Sequence, residues 1–206
     1  LDKTGKFSEA IKDFDEAIKL KPDYFEAYYR RALASYAMAR YPEAIDAFDK
    51  AIQVNPDFAA AYYNRGIAYA VSGNQAEAIR SYEKAISLNP KDPVIYVRQG
   101  DAYTVLQDYA NAAQSYEKAI NLDPKIPNVH YSLGLALSRL ANHAEAIRSY
   151  SRAIALNPGF VNALYNRAVS LRELGREAEA LNDYRAAARL GDRGSQFYLK
   201  SKGIGW

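Results

Sequence analysis

The chain has 206 residues, no cysteine and two histidines, so its composition excludes disulfides, zinc–thiolate sites and thiol nucleophiles. Its 27 basic and 24 acidic residues give a formal net charge of +3 without a dense stripe of Lys and Arg, and we expect no nucleic-acid binding. No apolar run approaches the roughly 20 residues that a membrane-spanning helix requires.

Prolines recur along the chain at a constant interval of 34 residues, at Pro22, Pro56, Pro90, Pro124 and Pro158. A fixed period of this size indicates an array of structural repeats. Proline lacks an amide proton and disfavours helix at the preceding residue, so each of these prolines is predicted to end a helix. Pro93 and Pro127 stand where the next helix begins, a place that proline fits well.

Small and large side chains follow the same period. The small column is Ala32, Gly66, Gly100, Gly134 and Ala168, and the large column is Phe14, Phe48, Tyr82, Tyr116, Tyr150 and Tyr184. Small residues facing aromatic rings at a fixed spacing predict helices that pack closely in pairs. Each unit is therefore predicted to be a helix, a short turn and a second helix, each helix about 14 residues or roughly 21 Å long.

The units follow one another along the chain. We predict a partial repeat at 1–24, full repeats at 25–58, 59–92, 93–126, 127–160 and 161–194, and a C-terminal cap at 193–206. Phe197, Tyr198 and Trp206 are expected to cover the apolar end of the last repeat, because a terminal repeat has no neighbour to bury its face. We expect a cytoplasmic protein. Because the chain begins within a unit and without Met, we leave open an upstream signal or anchor.

The period, the small and aromatic columns and the terminal prolines resemble the tetratricopeptide repeat over about residues 1–192. The resemblance implies an all-α fold in a single domain, a right-handed superhelical α-solenoid of antiparallel helix pairs with a C-terminal capping helix. It also implies a non-enzymatic scaffold or adaptor for protein–protein interaction, with a role in complex assembly. In this family the first helix of each repeat lines a concave groove that holds a peptide or a short helix of a partner protein.

The resemblance places the peptide-binding positions on the outward face of the first helices. In this chain they are Tyr29, Arg30, Leu33, Tyr63, Asn64, Ile67, Val97, Arg98, Asp101, Tyr131, Leu135, Tyr165 and Asn166. Tyr and Arg are enriched at binding hot spots, which favours a ligand-binding ladder. A column of Tyr also fits a half-exposed helix face without any ligand, and the sequence leaves both interpretations open.

Some members of this family bind acidic chaperone tails through a clamp of five Lys, Asn and Arg side chains. Asn64 and Arg98 match two of the clamp positions in this chain. Tyr29, Leu33 and Val94 stand at the other three and lack the required donors. We therefore expect no clamp of this kind.

Three arginines, Arg31, Arg65 and Arg167, occupy a column in which Leu133 is the usual residue type. They could mark an anion site. The sequence favours a structural role instead, in which each guanidinium stacks on a neighbouring Tyr or pairs with an acid such as Asp13.

Catalytic chemistry finds no support in the sequence. His130 and His143 lie on different predicted helices, and neither has a second ligand at metal-binding spacing. The known nucleophile, phosphate-binding and metalloprotease motifs are absent. We expect no enzymatic activity, no cofactor, no metal and no small-molecule substrate.

A second hypothesis is self-association through the N-terminal end. The predicted helix in residues 7–20 carries Phe7, Ile11, Phe14 and Ile18 on one apolar face. That face could pair with the same face of another copy and form a homodimer.

Overall fold

The computed structural model describes residues 3–206, and their side chains from residue 6 onward. This part of the chain forms twelve α-helices and no β-strand. None of these helices is both long and apolar enough to cross a membrane. Contacts divide the chain into two units, the first ending at Leu106 and the second running from Gln107 to Trp206.

The first unit is a row of six helices in which each packs against the next. They are α1 (Lys3–Leu20), α2 (Phe25–Ala37), α3 (Tyr41–Val54), α4 (Ala59–Val71), α5 (Gln75–Leu88) and α6 (Pro93–Val105). The short turns between them make neighbouring helices antiparallel. The first helices of successive repeats also touch, since α4 contacts both α2 and α6.

The second unit repeats this arrangement. Its helices are α7 (Tyr109–Leu122), α8 (Pro127–Arg139), α9 (His143–Leu156), α10 (Val161–Glu173), α11 (Glu177–Arg189) and α12 (Arg193–Ser201). Each packs against the next, and α10 also contacts α8. The predicted all-helical fold of consecutive helix pairs is confirmed.

Proline and aspartate set helix boundaries as local chemistry requires. Pro93 and Pro127 are the first residues of α6 and α8, as predicted. The side chain of Asp92 accepts a hydrogen bond from the backbone N–H of Val94 at 2.9 Å. Such a cap satisfies one of the four N–H groups that a helix leaves unpaired at its start.

The small and large columns meet in the core. Gly66 lies against the buried ring of Tyr82, and a Cβ atom added to Gly66 would stand 2.5 Å from Tyr82 Cε1. Gly134 and Tyr150 repeat this geometry, with the same 2.5 Å separation. The ring of the second helix therefore fills the space that a missing side chain leaves on the first helix, and the helices pack closely.

The capping helix α12 packs on α11 through a face different from the one expected. Ser195 and Leu199, four residues apart, are fully buried, and the ring of Tyr198 lies 4.4 Å from that of Tyr184. This register turns Phe197 outward, where 76 % of it is exposed. The expectation that Phe197 covers the apolar end is therefore wrong, because Leu199 and Tyr198 do so.

Candidate functional site

The thirteen groove positions fall into two sets, one in each unit, and we call each set the first-helix face of its unit. They lie on α2, α4 and α6 in the first unit and on α8 and α10 in the second. None of them is buried: Arg30 and Arg98 are exposed, and the others are half-buried. Within the first unit, the contacts of α4 with α2 and α6 bring positions from three repeats side by side.

The tyrosine rings of this face belong to the packing of the repeats. Each contacts the aromatic ring 19 residues later, on the second helix of its own repeat. The ring centroids are 5.9 Å apart for Tyr29 and Phe48, 6.2 Å for Tyr63 and Tyr82, 6.0 Å for Tyr131 and Tyr150, and 5.8 Å for Tyr165 and Tyr184. Burial raises the pKa of Tyr29 and Tyr131 above the ordinary value near 10, so both hydroxyls stay protonated well into the alkaline range. The rings therefore support the fold.

Asparagine links the first helices of neighbouring repeats. Asn64 Nδ2 donates to the Tyr29 hydroxyl at 3.0 Å and to the Ala60 carbonyl at 2.9 Å. The same arrangement occurs in the second unit, where Asn166 Nδ2 donates to the Tyr131 hydroxyl at 3.2 Å and to the Asn162 carbonyl at 2.9 Å. Both N–H groups of each amide are therefore used, and its oxygen remains as an acceptor.

Arg98 takes the position that Asn occupies in those two repeats. The side chain of Tyr63 beside it is the main cause that raises the pKa of Arg98. Arg98 also forms an ion pair with Asp101, at 3.6 Å. The charge of Arg98 is thus largely balanced within the first-helix face.

A cleft of about 300 Å³ opens on this face in the first unit. It is lined by Tyr36, Ile67, Ala70, Val71, Gln75, Tyr82, Arg98, Asp101, Ala102 and Val105. Three predicted positions, Ile67, Arg98 and Asp101, come together here. The sequence did not predict Val71 and Val105 as site residues, and the structure leaves 51 % and 65 % of them exposed. One signal in the sequence could have identified them: the equivalent positions in the other repeats are not Val.

Two further predicted positions meet at the other end of the first unit. Arg30 and Leu33 line a cleft of about 250 Å³ together with Phe7, Ala10, Phe14 and Ala34. Arg30 forms no ion pair with the residues that the structure describes. This cleft therefore combines an apolar wall with one unpaired cation.

The arginine column has a structural role. Arg31 Nε donates to Asp15 at 2.7 Å, so the choice of Asp13 as its partner is wrong. Arg65 pairs with Asp49, and its guanidinium lies 5.3 Å from the centroid of the Tyr62 ring. Stacking and pairing thus occur together at one arginine, and a free anion has no vacant guanidinium to bind there.

Arg167 is also paired with a carboxylate, but this carboxylate comes from the following second helix and not from the preceding one. Its Nε and Nη2 atoms both donate to Asp183 at 2.7 Å, and Nη1 donates to Ser151 at 2.9 Å. Asp183 lies 16 residues after Arg167, whereas Asp15 and Asp49 lie 16 residues before their arginines. Arg65 and Arg167 are each held between two second helices, one of which supplies the carboxylate and the other a serine hydroxyl.

His130 is a packing residue. It is buried, and its Nε2 atom lies 2.9 Å from the Pro124 carbonyl oxygen. Tyr96, at the equivalent position, donates its hydroxyl to the Pro90 carbonyl at 3.3 Å. Among the described residues, no group of three or more His, Asp or Glu side chains could hold a metal ion.

Comparisons with known proteins agree with this architecture. A family model described as "TPR repeat" matches residues 3–39 and 100–140, and one described as "Tetratricopeptide repeat" matches residues 32–93 and 131–195. No curated protein matches the chain.

Solved structures share the fold at low sequence identity. YrrB, described as a TPR protein with an unusual peptide-binding site, superposes with a TM-score of 0.82 at 22 % identity, over 91 % of this chain and 97 % of YrrB. A structure of the MamA protein gives a TM-score of 0.77 at 21 % identity, over 88 % of this chain and 97 % of MamA. MamA from Desulfovibrio magneticus RS-1 gives 0.74 at 18 % identity, over 81 % and 94 %. This chain therefore belongs to the tetratricopeptide repeat family, whose fold serves protein–protein interaction.

Proposed function

We propose that the chain is an adaptor that binds an extended segment of a partner protein on its first-helix face and helps to assemble protein complexes. The observation that carries this proposal is the hydrogen-bond inventory of Asn64 and Tyr29, which Asn166 and Tyr131 repeat.

Each of these pairs offers one acceptor and one donor. Asn64 uses both N–H groups within the protein and retains its carbonyl oxygen Oδ1 as an acceptor. Tyr29 accepts from Asn64, so its own O–H remains able to donate. An acceptor beside a donor matches the N–H and C=O groups of a peptide bond. The pairs therefore suit the main chain of a bound segment, whatever its side chains.

The charge of the face favours a neutral ligand group. Arg98 forms an ion pair with Asp101, so it adds little net positive charge to the first unit. A carboxylate-rich tail would need several unpaired cations at hydrogen-bonding distance. Main-chain recognition has no such requirement.

The cleft in the first unit supplies selectivity for one side chain. Ile67, Val71 and Val105 give it apolar walls, and its volume of about 300 Å³ suits an aliphatic or aromatic side chain. An exposed apolar cleft bordered by polar groups is typical of a peptide-binding site. We therefore expect the partner segment to carry one apolar anchor. The peptide-binding site named for YrrB, which shares the fold, also supports this proposal.

A selection from a library of unstructured displayed peptides tests the proposal. Peptides selected on the wild-type chain are then synthesised with single N-methylated amides and titrated against the chain. N-methylation removes one backbone N–H donor, so it should weaken binding by about tenfold at the positions that contact Asn64 or Asn166. Asn64→Ala tests the first unit and Asn166→Ala the second, and each should weaken binding similarly.

Asn182→Ala is the matched control, because Asn182 is an exposed asparagine on the second helix α11. Its substitution should leave the affinity unchanged. The proposal would be contradicted if N-methylation, Asn64→Ala and Asn166→Ala all left the affinity unchanged while Asn182→Ala lowered it. The binding site would then lie on the second helices.

Self-association through α1 is a second candidate function. Phe7, Ile11, Phe14 and Ile18 are all only half-buried, and no side chain from residue 6 to residue 20 is fully buried. The open cleft between Phe14 and Leu33 adds apolar surface at this end. Sedimentation velocity over a wide concentration range tests it: the sedimentation coefficient should rise with concentration and lose that dependence in Phe7→Ser. A constant monomer value would contradict it.

A further inference from the structure

The net positive charge of the chain is concentrated in its C-terminal segment, residues 185–206. Five of the 27 basic side chains, but only one of the 24 acidic side chains, lie between residues 185 and 206. The acidic residue, Asp192, is used as a helix cap, since its carboxylate accepts a hydrogen bond from the Ser195 N–H at 2.6 Å. The rest of the chain is close to neutral, so this end has a distinct electrostatic character.

An exposed aromatic ring stands among these cations. Phe197 is 76 % exposed, on the side of α12 opposite the buried residues Ser195 and Leu199. Arg193, four residues earlier, and Lys200, three residues later, share its helix face. Neither forms an ion pair within the part of the chain that the structure describes.

Two other apolar side chains near α12 in the chain are exposed. Leu190, in the turn before α12, is 51 % exposed, and Trp206 is 46 % exposed. Trp206 lies two residues after Ile204, whose N–H donates to the Leu199 carbonyl of α12 at 3.0 Å. We define Leu190, Arg193, Phe197, Lys200 and Trp206 as the cap surface.

We propose that the cap surface binds anionic lipid membranes peripherally. Trp, Phe and Leu beside Lys and Arg are the residues with which proteins lie at a membrane interface. Clusters of basic residues on such a helix are attracted by anionic headgroups over distances set by ionic strength. A protein partner would need a matching pocket for the protruding Phe197 ring, whereas a lipid interface accepts it without one. This site is separate from the first-helix face and does not depend on peptide binding.

The chain contains a built-in reporter for this proposal, because Trp206 is its single tryptophan. Full-length protein is mixed with vesicles of phosphatidylcholine containing roughly 30 % phosphatidylserine, or of phosphatidylcholine alone. We expect the Trp206 emission to shift to shorter wavelength, and the protein to co-sediment, only with the anionic vesicles. Raising NaCl from about 50 mM to about 300 mM should weaken binding at least tenfold, because salt screens the attraction.

Variants locate the contact. Phe197→Ser and the double variant Arg193→Glu/Lys200→Glu should each weaken vesicle binding by about tenfold or more. Their side chains are exposed, so the helical circular-dichroism signal and its melting temperature should stay unchanged. Lys50→Glu/Lys118→Glu is the matched control: it changes the net charge equally, at exposed positions on α3 and α7, and should bind nearly as well as the wild type.

Four results would overturn the proposal. Equal binding to neutral vesicles would exclude a role for the cations. Equal loss in the control and the Arg193/Lys200 variants would show attraction by net charge without a site. A Trp206 shift with soluble polyglutamate, together with no binding to vesicles, would assign the cap surface to an acidic protein partner. Absence of any shift would remove the surface as a binding site for either.

Discussion

Asn64 donates a hydrogen bond to the hydroxyl of Tyr29 at 3.0 Å, across the boundary between two neighbouring repeats. The two residues are 35 positions apart, one more than the repeat period. Asn166 and Tyr131 make the same contact at the same separation. The bond therefore joins one repeat to the next, and it fixes which hydrogen-bonding groups the first-helix face can offer.

Removing this bond should weaken the coupling between repeats while the ring packing survives. We expect Tyr29→Phe to lower the free energy of unfolding by about 1 kcal/mol, and Asn64→Ala by a similar amount. The double variant should lose less than the sum, because the two side chains share one bond. Urea denaturation of the four proteins gives the coupling energy. A coupling energy of zero would show that the hydrogen bond contributes nothing to stability.

Removing one partner of the Arg167–Asp183 ion pair should lower the free energy of unfolding much more than replacing both partners. Asp183→Ser leaves a mostly buried guanidinium without its carboxylate, and we expect a loss of about 3 kcal/mol. The double variant Arg167→Leu/Asp183→Ser reproduces the residues of the preceding repeat, Leu133 and Ser149. It should regain most of that loss.

Thermal and urea unfolding of both variants and the wild type measures this difference. A double variant as unstable as Asp183→Ser would show that the guanidinium itself, and not its pairing, holds α10 and α11 together.

Two alanines adopt an unfavourable left-handed backbone conformation at the turns between paired helices. Ala39 and Ala141 have φ angles of 57° and 60°, where Gly73 and Gly175 stand in other repeats. Left-handed backbone costs a residue with a Cβ atom roughly 1–2 kcal/mol, partly offset by the greater freedom of glycine in the unfolded chain. We expect Ala39→Gly and Ala141→Gly each to raise the apparent free energy of unfolding by up to about 1 kcal/mol. Gly73→Ala should lower it, and urea midpoints would reveal the opposite signs.

Alkaline pH should unfold the chain through its buried tyrosines. Burial raises the pKa of Tyr82 and Tyr150 above the ordinary value near 10. The unfolded state therefore loses these protons first as pH rises. Their contribution is fully present below about pH 10 and is lost as pH rises towards the folded-state pKa.

Tyrosinate absorbance and helical circular dichroism, recorded in one titration, check this prediction. We expect exposed tyrosines to ionise first and a late group to ionise together with loss of helix. Tyr82→Phe should reduce the late group. Complete ionisation without any loss of helix would show that these rings open to solvent in the folded state.

The starts of helices could be predicted from the sequence. Pro93 and Pro127 begin α6 and α8 because proline can only occupy a first turn or end a helix, which is a local constraint. The contacts of the face were harder to predict. Columns aligned at the 34-residue period place Tyr29 above Tyr63, whereas the structure bonds Tyr29 to Asn64, one position further. That offset depends on how successive helices pack.

The directions in which side chains point were also difficult to predict from the sequence. Phe197 was expected inside because it is large and apolar, but Ser195 and Leu199 set the register of α12. Asp15, two residues beyond the expected Asp13, reaches Arg31 for a similar reason. Periodicity identifies a helix, but the rotation of a helix at the end of an array depends on neighbours that the repeat pattern does not specify.

The Asn–Tyr bond joins the first helices of neighbouring repeats, and the distance between such helices can be compared with the length of an extended ligand. Packed helices stand about 8–10 Å apart, and an extended chain advances about 3.3 Å per residue. Successive first helices would therefore meet an extended ligand at about every third residue. The protein would then select its ligands by spacing as well as by their one apolar anchor. Ligands that share a three-residue spacing and that anchor could come from otherwise unrelated proteins.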